Sequence, residues 1–169
     1  GSSPFELISF RETGIQATRA TWSPDGTKAA FYSGDALCVV PVSPETGRAT
    51  GPHKKIHKLA LRWAGNPEWS PDGRKLAYNG PPGGDLWMID SDGTNLRKIT
   101  TSQGPRMLAP AWSPDGKTLA YGTRPKNAIG LYDIESGRSS ELTETGNRFA
   151  PIWSPDGNWI MGNRDKLYF

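Results

Sequence analysis

The string Trp-Ser-Pro-Asp-Gly occurs four times in this chain of 169 residues, beginning at Trp22, Trp69, Trp112 and Trp153. Successive copies are 47, 43 and 41 residues apart, and a period in the forties is typical of a four-stranded β-propeller blade. Each unit also carries proline and glycine in its interior, which excludes an array of helical repeats of similar length. The repeat therefore predicts an all-β β-propeller of four-stranded blades, with four repeats per chain.

Each unit is expected to form one strand that ends at the tryptophan, a tight turn, and further strands after it. In the turn, proline presets φ, aspartate caps the local backbone, and glycine adopts the left-handed conformation. The second strand follows at once, and a leucine marks the third strand of each unit: Leu37, Leu86, Leu131 and Leu167. We predict a single domain over 1–169, with blade units at about 17–61, 62–103, 106–145 and 148–169.

The pattern Pro-x-Trp-Ser-Pro-Asp-Gly-Lys-x-Leu-Ala-Tyr, best seen from Pro110 to Tyr121, resembles the repeat of the TolB-like (WD40-like) propeller family. The same repeat occurs in the propeller domains of prolyl-oligopeptidase-type proteases. The resemblance covers nearly the whole chain and departs at Ala20, where proline is usual, and at Gly162, where an aromatic residue is usual. It implies propellers of six or more blades, so four copies need an explanation.

The first and last segments of the chain are complementary. The last unit stops in its third strand at Leu167-Tyr168-Phe169, whereas residues 5–10 precede the first unit and resemble a fourth strand. Pairing between them would remove an open sheet edge. Within one chain this pairing gives a closed four-bladed ring, and between two chains it gives an eight-bladed ring, which would be a homodimer. A fragment of a larger propeller is the third alternative.

No catalytic residue, cofactor or metal site is predicted. The chain lacks a Gly-x-Ser-x-Gly elbow, and His53 and His57, although four residues apart, flank lysines in a segment read as loop and strand. We expect this pair to be solvated. The single cysteine, Cys38, is expected to be a buried thiol. The recurring turn aspartates and the motif tryptophans are interpreted as backbone caps and blade-packing residues; the aspartates are Asp25, Asp72, Asp115 and Asp156.

Charge separates by face in an up-and-down blade. The loops between blades, and those between second and third strands, share one side, which we call the loop face; the Ser-Pro-Asp-Gly turns lie on the opposite turn face. The turn face collects the aspartates. The loop face collects the candidate ligand-binding residues, which are Arg19, Arg62, Arg106, Arg148, Arg124 and Arg164. Guanidinium groups around a concave mouth suit a carboxylate or phosphate, unless they pair with backbone carbonyls or acidic neighbours at blade junctions.

These features favour a non-enzymatic scaffold that receives a protein, an acidic peptide or a small anion at the basic mouth. The resemblance to TolB implies such a role, and it alone suggests a periplasmic or cell-envelope location. The alternatives are the propeller portion of a prolyl-oligopeptidase-like hydrolase, or a small propeller lyase using the arginines with Tyr121 or Tyr132. A net charge of +3 argues against nucleic acid, and no apolar run approaches the length of a membrane span.

Overall fold

The computed structural model describes residues 17–59, 65–80, 84–100, 108–123, 128–142, 150–162 and 166–168. These residues form four antiparallel sheets. The first contains β1 (Thr18–Trp22), β2 (Lys28–Ser33), β3 (Ala36–Pro41) and β4 (Lys54–Lys58). The second contains β5 (Glu68–Trp69), β6 (Lys75–Gly80), β7 (Asp85–Asp90) and β8 (Arg97–Lys98). The third contains β9 (Leu108–Trp112), β10 (Thr118–Gly122), β11 (Ile129–Asp133) and β12 (Ser139–Leu142). The fourth contains β13 (Ile152–Trp153), β14 (Ile160–Gly162) and β15 (Lys166–Tyr168).

Strands within every sheet lie in sequence order, so each sheet is a meander of hairpins, and we number the sheets as blades 1 to 4. The prediction of an all-β chain with antiparallel sheets is confirmed. The N-terminal strand predicted at 5–10 lies outside the described residues, and the ways of closing a ring stay predictions. Among the described residues there is no helix of the length and apolarity that crossing a bilayer requires.

The Ser-Pro-Asp-Gly turn has one hydrogen-bonding pattern in all four blades. In blade 1, the Ser23 hydroxyl donates to Asp25 Oδ1 at 2.6 Å, and the backbone N–H of Thr27 donates to the same oxygen at 3.0 Å. Gly26 takes a left-handed φ of 70°, which glycine adopts without steric cost. The equivalent serines bond Asp72, Asp115 and Asp156 in the same way. The predicted capping role of the turn aspartates is confirmed.

Consecutive blades are joined by a hydrogen bond that the sequence analysis did not predict. The indole N–H of Trp69 donates to the carbonyl oxygen of Thr21 at 3.2 Å. In the next junction Trp112 donates to the carbonyl of Glu68 at 3.2 Å. In the last, Trp153 donates to the carbonyl of Ala111 at 3.0 Å. Each acceptor is the residue directly before the motif tryptophan of the preceding blade. The same hydrogen bond therefore joins the innermost strands, which are the first strands of the blades, at all three junctions.

The apolar core lies between the blades. Between blades 1 and 2, Ala30 and Val39 of the first pack with Leu76 and Tyr78 of the second. The alternation of a strand sends Ala77 the other way, into the junction of blades 2 and 3, where it packs with residues such as Leu119. Blades 3 and 4 share a smaller cluster. Burial on both faces explains why the second and third strands of the middle blades are apolar almost throughout.

The predicted packing role of the motif tryptophans holds for the middle blades, where Trp69 and Trp112 are buried. It is wrong for Trp22, which is 49% exposed because the described residues present no preceding blade to cover it. Cys38 is fully buried in blade 1, and burial raises the pKa of its thiol, as expected for an inert cysteine.

Candidate functional site on the loop face

Of the six candidate arginines, the structure describes Arg19. The others lie outside the described residues, so their grouping at one mouth stays a prediction; they are Arg62, Arg106, Arg148, Arg124 and Arg164. Arg19 lies near the start of β1, the end of that strand opposite the Ser-Pro-Asp-Gly turn, and therefore on the loop face.

A β-bulge positions Arg19. The register of β1 against β2 shifts between Thr18 and Thr21, and Arg19 takes a left-handed φ of 56° within the shift. That conformation costs a residue with a side chain roughly 1 kcal/mol, and bulges commonly redirect a side chain. The Arg19 guanidinium is exposed and donates from Nη1 to the side-chain oxygen of Asn66, in blade 2, at 3.2 Å. The arginine therefore bridges two blades through a neutral amide, and no carboxylate of the described residues forms an ion pair with it.

Beside Arg19, the junction of blades 1 and 2 buries polar groups that have no hydrogen-bond partner among the described residues. They are the hydroxyls of Tyr32 and Tyr78 and the indole N–H of Trp87. Both polar atoms of the Asn79 amide are also buried without a described partner, but Asn79 lies on the same face of β6 as Ala77, toward blade 3. Burial raises the pKa of both tyrosines, so their hydroxyls stay protonated. Buried polar atoms normally have a partner, and leaving one unsatisfied costs about 1–3 kcal/mol. This concentration of unpaired donors and acceptors distinguishes the first junction from the other two among the described residues.

His57 belongs to the same junction, where it is partly buried and so less solvated than the sequence analysis expected. Its ring lies 6.0 Å from that of Tyr78 and 6.2 Å from that of Trp87, and partial burial lowers its pKa. The other histidine, His53, packs against Phe31 instead. A register shift in β4 separates the two residues, so their rings contact different neighbours and do not approach each other as metal ligands would. The described residues bring together no group of three histidine, cysteine or acidic side chains.

A buried ion pair lies at the loop-face end of blade 2. Lys98 Nζ contacts the Asp85 carboxylate at 2.6 Å, and the Asp85 side chain is almost completely buried. The same ammonium lies 5.7 Å from the centre of the Trp87 ring, within the range of a cation–π interaction. Since removing Lys98 would leave the buried Asp85 carboxylate without this ion pair, Lys98 is held in place, and its charge is balanced by that carboxylate.

A shallow cavity of about 350 Å³ opens at the outer edge of blade 1 and is lined partly by Lys55, His57, Lys58 and Asp35. Lys58 and Asp35 form an exposed ion pair at 3.7 Å, which is worth little in water. The cavity therefore extends the basic character of the loop face outward without adding a buried, preorganised group.

The two tyrosines of the lyase alternative are core residues. Tyr121 and Tyr132 are buried in the junction of blades 2 and 3. The ring of Tyr121 lies over Gly130, while the Tyr132 hydroxyl accepts a hydrogen bond from Arg97 at 3.4 Å. Both side chains are almost completely buried, and Tyr121 also forms part of the lining of a shallow cavity of about 300 Å³ beside Gly130.

The sequence analysis missed Asn66 and the buried polar groups without a described partner. One signal was available: Asn79 interrupts the buried run 76–80 of β6, which is otherwise apolar or glycine. A polar residue is unusual in a strand that is buried on both faces, because burying it costs free energy unless it is hydrogen-bonded. Such a residue therefore marks a position to inspect for a function other than packing.

Comparison with solved structures shows which propellers this chain is similar to. It matches TolB from Acinetobacter baumannii with a TM-score of 0.68 and 23% identity, over 88% of this chain and 37% of that one. A protein assigned as TolB from Agrobacterium tumefaciens matches with a TM-score of 0.64 and 27% identity, over 89% and 55%. An oligogalacturonate lyase solved with manganese matches with a TM-score of 0.59 and 26% identity, over 83% and 37%.

These matches confirm the predicted relationship to TolB-like β-propellers. They include both TolB proteins and an enzyme, and the chain spans between 37% and 55% of their lengths. No protein-family model and no curated protein matches the sequence.

Proposed function

We propose that this TolB-like propeller chain is a non-enzymatic binding scaffold that receives an acidic peptide, or another anion, on its loop face. The observation that carries the proposal is Arg19. Its exposed guanidinium is redirected by a bulge, held by Asn66, and lies beside buried polar groups that have no partner among the described residues. Its charge is not neutralised by a carboxylate of the described residues. Arginine in such a setting suits bidentate recognition of a carboxylate or phosphate.

The strand order extends this argument to the other candidate arginines. In every described blade the strands follow one another in sequence order and alternate in direction. The segments between blades, and those between second and third strands, therefore begin and end on the loop face. Those segments carry the other five arginines: Arg62 between β4 and β5, Arg106 between β8 and β9, Arg148 between β12 and β13, Arg124 between β10 and β11, and Arg164 between β14 and β15. In the proposed site they surround the mouth that Arg19 enters. An envelope location, taken from the TolB resemblance, belongs to the proposal as well.

The test is binding of a fluorescein-labelled oligoglutamate peptide, followed by fluorescence anisotropy. The double variant Arg106→Ala/Arg148→Ala is expected to abolish binding, and Arg19→Ala to weaken it by about tenfold, since a charge-assisted hydrogen bond is worth roughly 1.5–3 kcal/mol. Binding to wild type should also weaken as salt is raised, because salt screens exposed charges.

The matched control is Arg48→Ala/Arg138→Ala. It removes the same charge from two exposed arginines in the turns between third and fourth strands, on the turn face. This control should bind the peptide as wild type does. Equal losses in both double variants would show that only net charge matters, and unchanged affinity in Arg106→Ala/Arg148→Ala would refute the basic mouth.

The second candidate is a propeller lyase, favoured by the similarity to the oligogalacturonate lyase. Oligogalacturonate is itself a chain of carboxylates, so a basic mouth suits either function. The hydrolase alternative is supported by the repeat resemblance and by the fold that the chain shares with a puromycin hydrolase. Incubation with oligogalacturonate separates the candidates: formation of an unsaturated product that absorbs in the ultraviolet supports the lyase, whereas binding without product supports the scaffold.

A further inference from the structure

The first strands of blades 1 and 4, β1 and β13, each carry one of the two groups that meet at a blade junction. Trp22 is 49% exposed, whereas Trp69 and Trp112 are 6% and 7% exposed, and its indole has no hydrogen-bond acceptor among the described residues. At the other end, Ile152 directly precedes Trp153 and so occupies the place of the three junction acceptors. The first blade therefore offers an indole donor that has no acceptor among the described residues, and the last blade offers the backbone carbonyl that such a donor contacts in the other junctions.

The side chains at the acceptor end form an apolar patch. Ile152 is 57% exposed, and Met161, its cross-strand partner, is 48% exposed. Met161 occupies the motif position of Ala30, Ala77 and Ala120, each of which is fully buried against the next blade. In blade 4, the side chains of β13 and β14 that correspond to those packed against a following blade are therefore about half exposed.

We infer that a second copy of this chain docks its Trp22 onto the Ile152–Met161 patch, with the indole N–H donating to the Ile152 carbonyl. The occupant is a second copy because every copy carries both halves of the contact, and the described residues of one copy leave Trp22, Ile152 and Met161 about half exposed. The contact is confined to the innermost strands, since Phe31 and Cys38, farther out on blade 1, are already buried.

Two such contacts related by a two-fold axis close a dimer in which Trp22 of each copy meets the Ile152–Met161 patch of the other. Each contact joins two different surfaces, and the two-fold axis makes the two contacts equivalent. This inference stands apart from the proposed function, because it involves none of the candidate arginines.

The test is the solution mass of the full chain, measured by sedimentation velocity over a concentration series up to about 100 μM, where contacts of this modest size are populated. Wild type is expected to be a dimer at the upper concentrations. Trp22→Lys and Met161→Lys are each expected to be monomers. The control, Leu96→Lys, alters an exposed leucine of blade 2 (42% exposed) and should leave the dimer intact.

Mixing provides the sharper result. The Trp22→Lys chain retains the patch and the Met161→Lys chain retains the tryptophan, so an equal mixture should form a heterodimer through one intact contact, although neither variant dimerises alone. Should Trp22→Lys fail to fold, as judged by circular dichroism, Trp22→Phe replaces it: that variant keeps an aromatic ring and loses the donor, and dimerisation should weaken by about tenfold or more.

Three results would overturn the inference. Wild type that stays monomeric throughout the series shows that no second copy binds. A dimer that persists in both lysine variants shows that another surface forms it. A mixture that stays monomeric while each variant is folded shows that the two ends do not meet.

Discussion

The first and third Trp-Ser-Pro-Asp-Gly motifs have the same five residues and very different environments. Trp112 is 7% exposed and bonded to the preceding blade, whereas Trp22 is half exposed and unbonded among the described residues. The turn after each tryptophan is nevertheless the same, with a serine hydroxyl 2.6 Å from the aspartate oxygen in both. Local chemistry therefore fixes the turn, and the neighbouring blade decides whether the tryptophan is core or surface.

The largest expected effect is the difference in stability loss between substitutions of the two tryptophans. Trp112→Ala should lower the free energy of unfolding by about 3–5 kcal/mol, because it empties a packed site and removes the bond to Glu68. Trp22→Ala should lower it by less than about 1 kcal/mol, as surface changes generally do. Urea denaturation at low protein concentration measures both, and similar losses would contradict the difference in packing.

A smaller effect is expected inside blade 3, where Tyr121 and Gly130 are cross-strand partners. A Cβ added at Gly130 would lie 2.4 Å from the Tyr121 ring, so Gly130→Ala should destabilise the protein by about 1–3 kcal/mol. In blade 1 the equivalent pair, Phe31 and Cys38, accommodates a side chain. The check is a double-mutant cycle with Tyr121→Leu: the cost of Gly130→Ala should shrink in that background, and an unchanged cost would place the strain elsewhere.

The smallest expected effect concerns pH and tests whether the turns are independent of their neighbours. The hydrogen bond from Ser23 and those from Thr27 lower the pKa of Asp25 to about 2, and those from Ser113 and Lys117 lower that of Asp115. A carboxyl whose pKa is lower in the folded state stabilises the fold above its ordinary pKa near 4, and this contribution is lost as pH falls toward 2.

Asp25→Asn should therefore reduce the acid dependence of the melting temperature between about pH 4 and pH 2, and Asp115→Asn should reduce it as pH falls below about 4. Each curve should converge with that of wild type once the wild-type carboxyl is protonated. An effect in one blade only would mean that the turns sense their neighbours after all.

The repeat predicted the fold well, because turn chemistry and strand alternation are encoded within a few residues. Ser70-Pro71-Asp72-Gly73 specifies its own hydrogen bonds wherever it occurs. The bond from Trp69 to Thr21 was beyond sequence reasoning, since its acceptor is a backbone carbonyl 48 residues away and is defined only once two blades pack.

The candidate site was predicted less completely, for the same reason. Arg19 was identified from its position before a motif tryptophan, and the structure places it on the loop face as an exposed cation. Its partner Asn66, and the hydroxyls of Tyr32 and Tyr78 that have no described partner, depend on how blade 1 meets blade 2. No local pattern reports which polar atoms that contact leaves without partners.

The one-sided packing of blade 4 has a consequence for how the chain opens. Blades 2 and 3 share apolar clusters with a neighbour on each side, whereas Ile152 and Met161 leave one side of blade 4 in solvent. In an array stabilised by nearest-neighbour contacts, the unit with fewest contacts frays first. Amide hydrogen exchange should thus be fastest in β14 and slowest in β6 and β10, so that the chain loses its last blade in brief excursions while its centre stays closed.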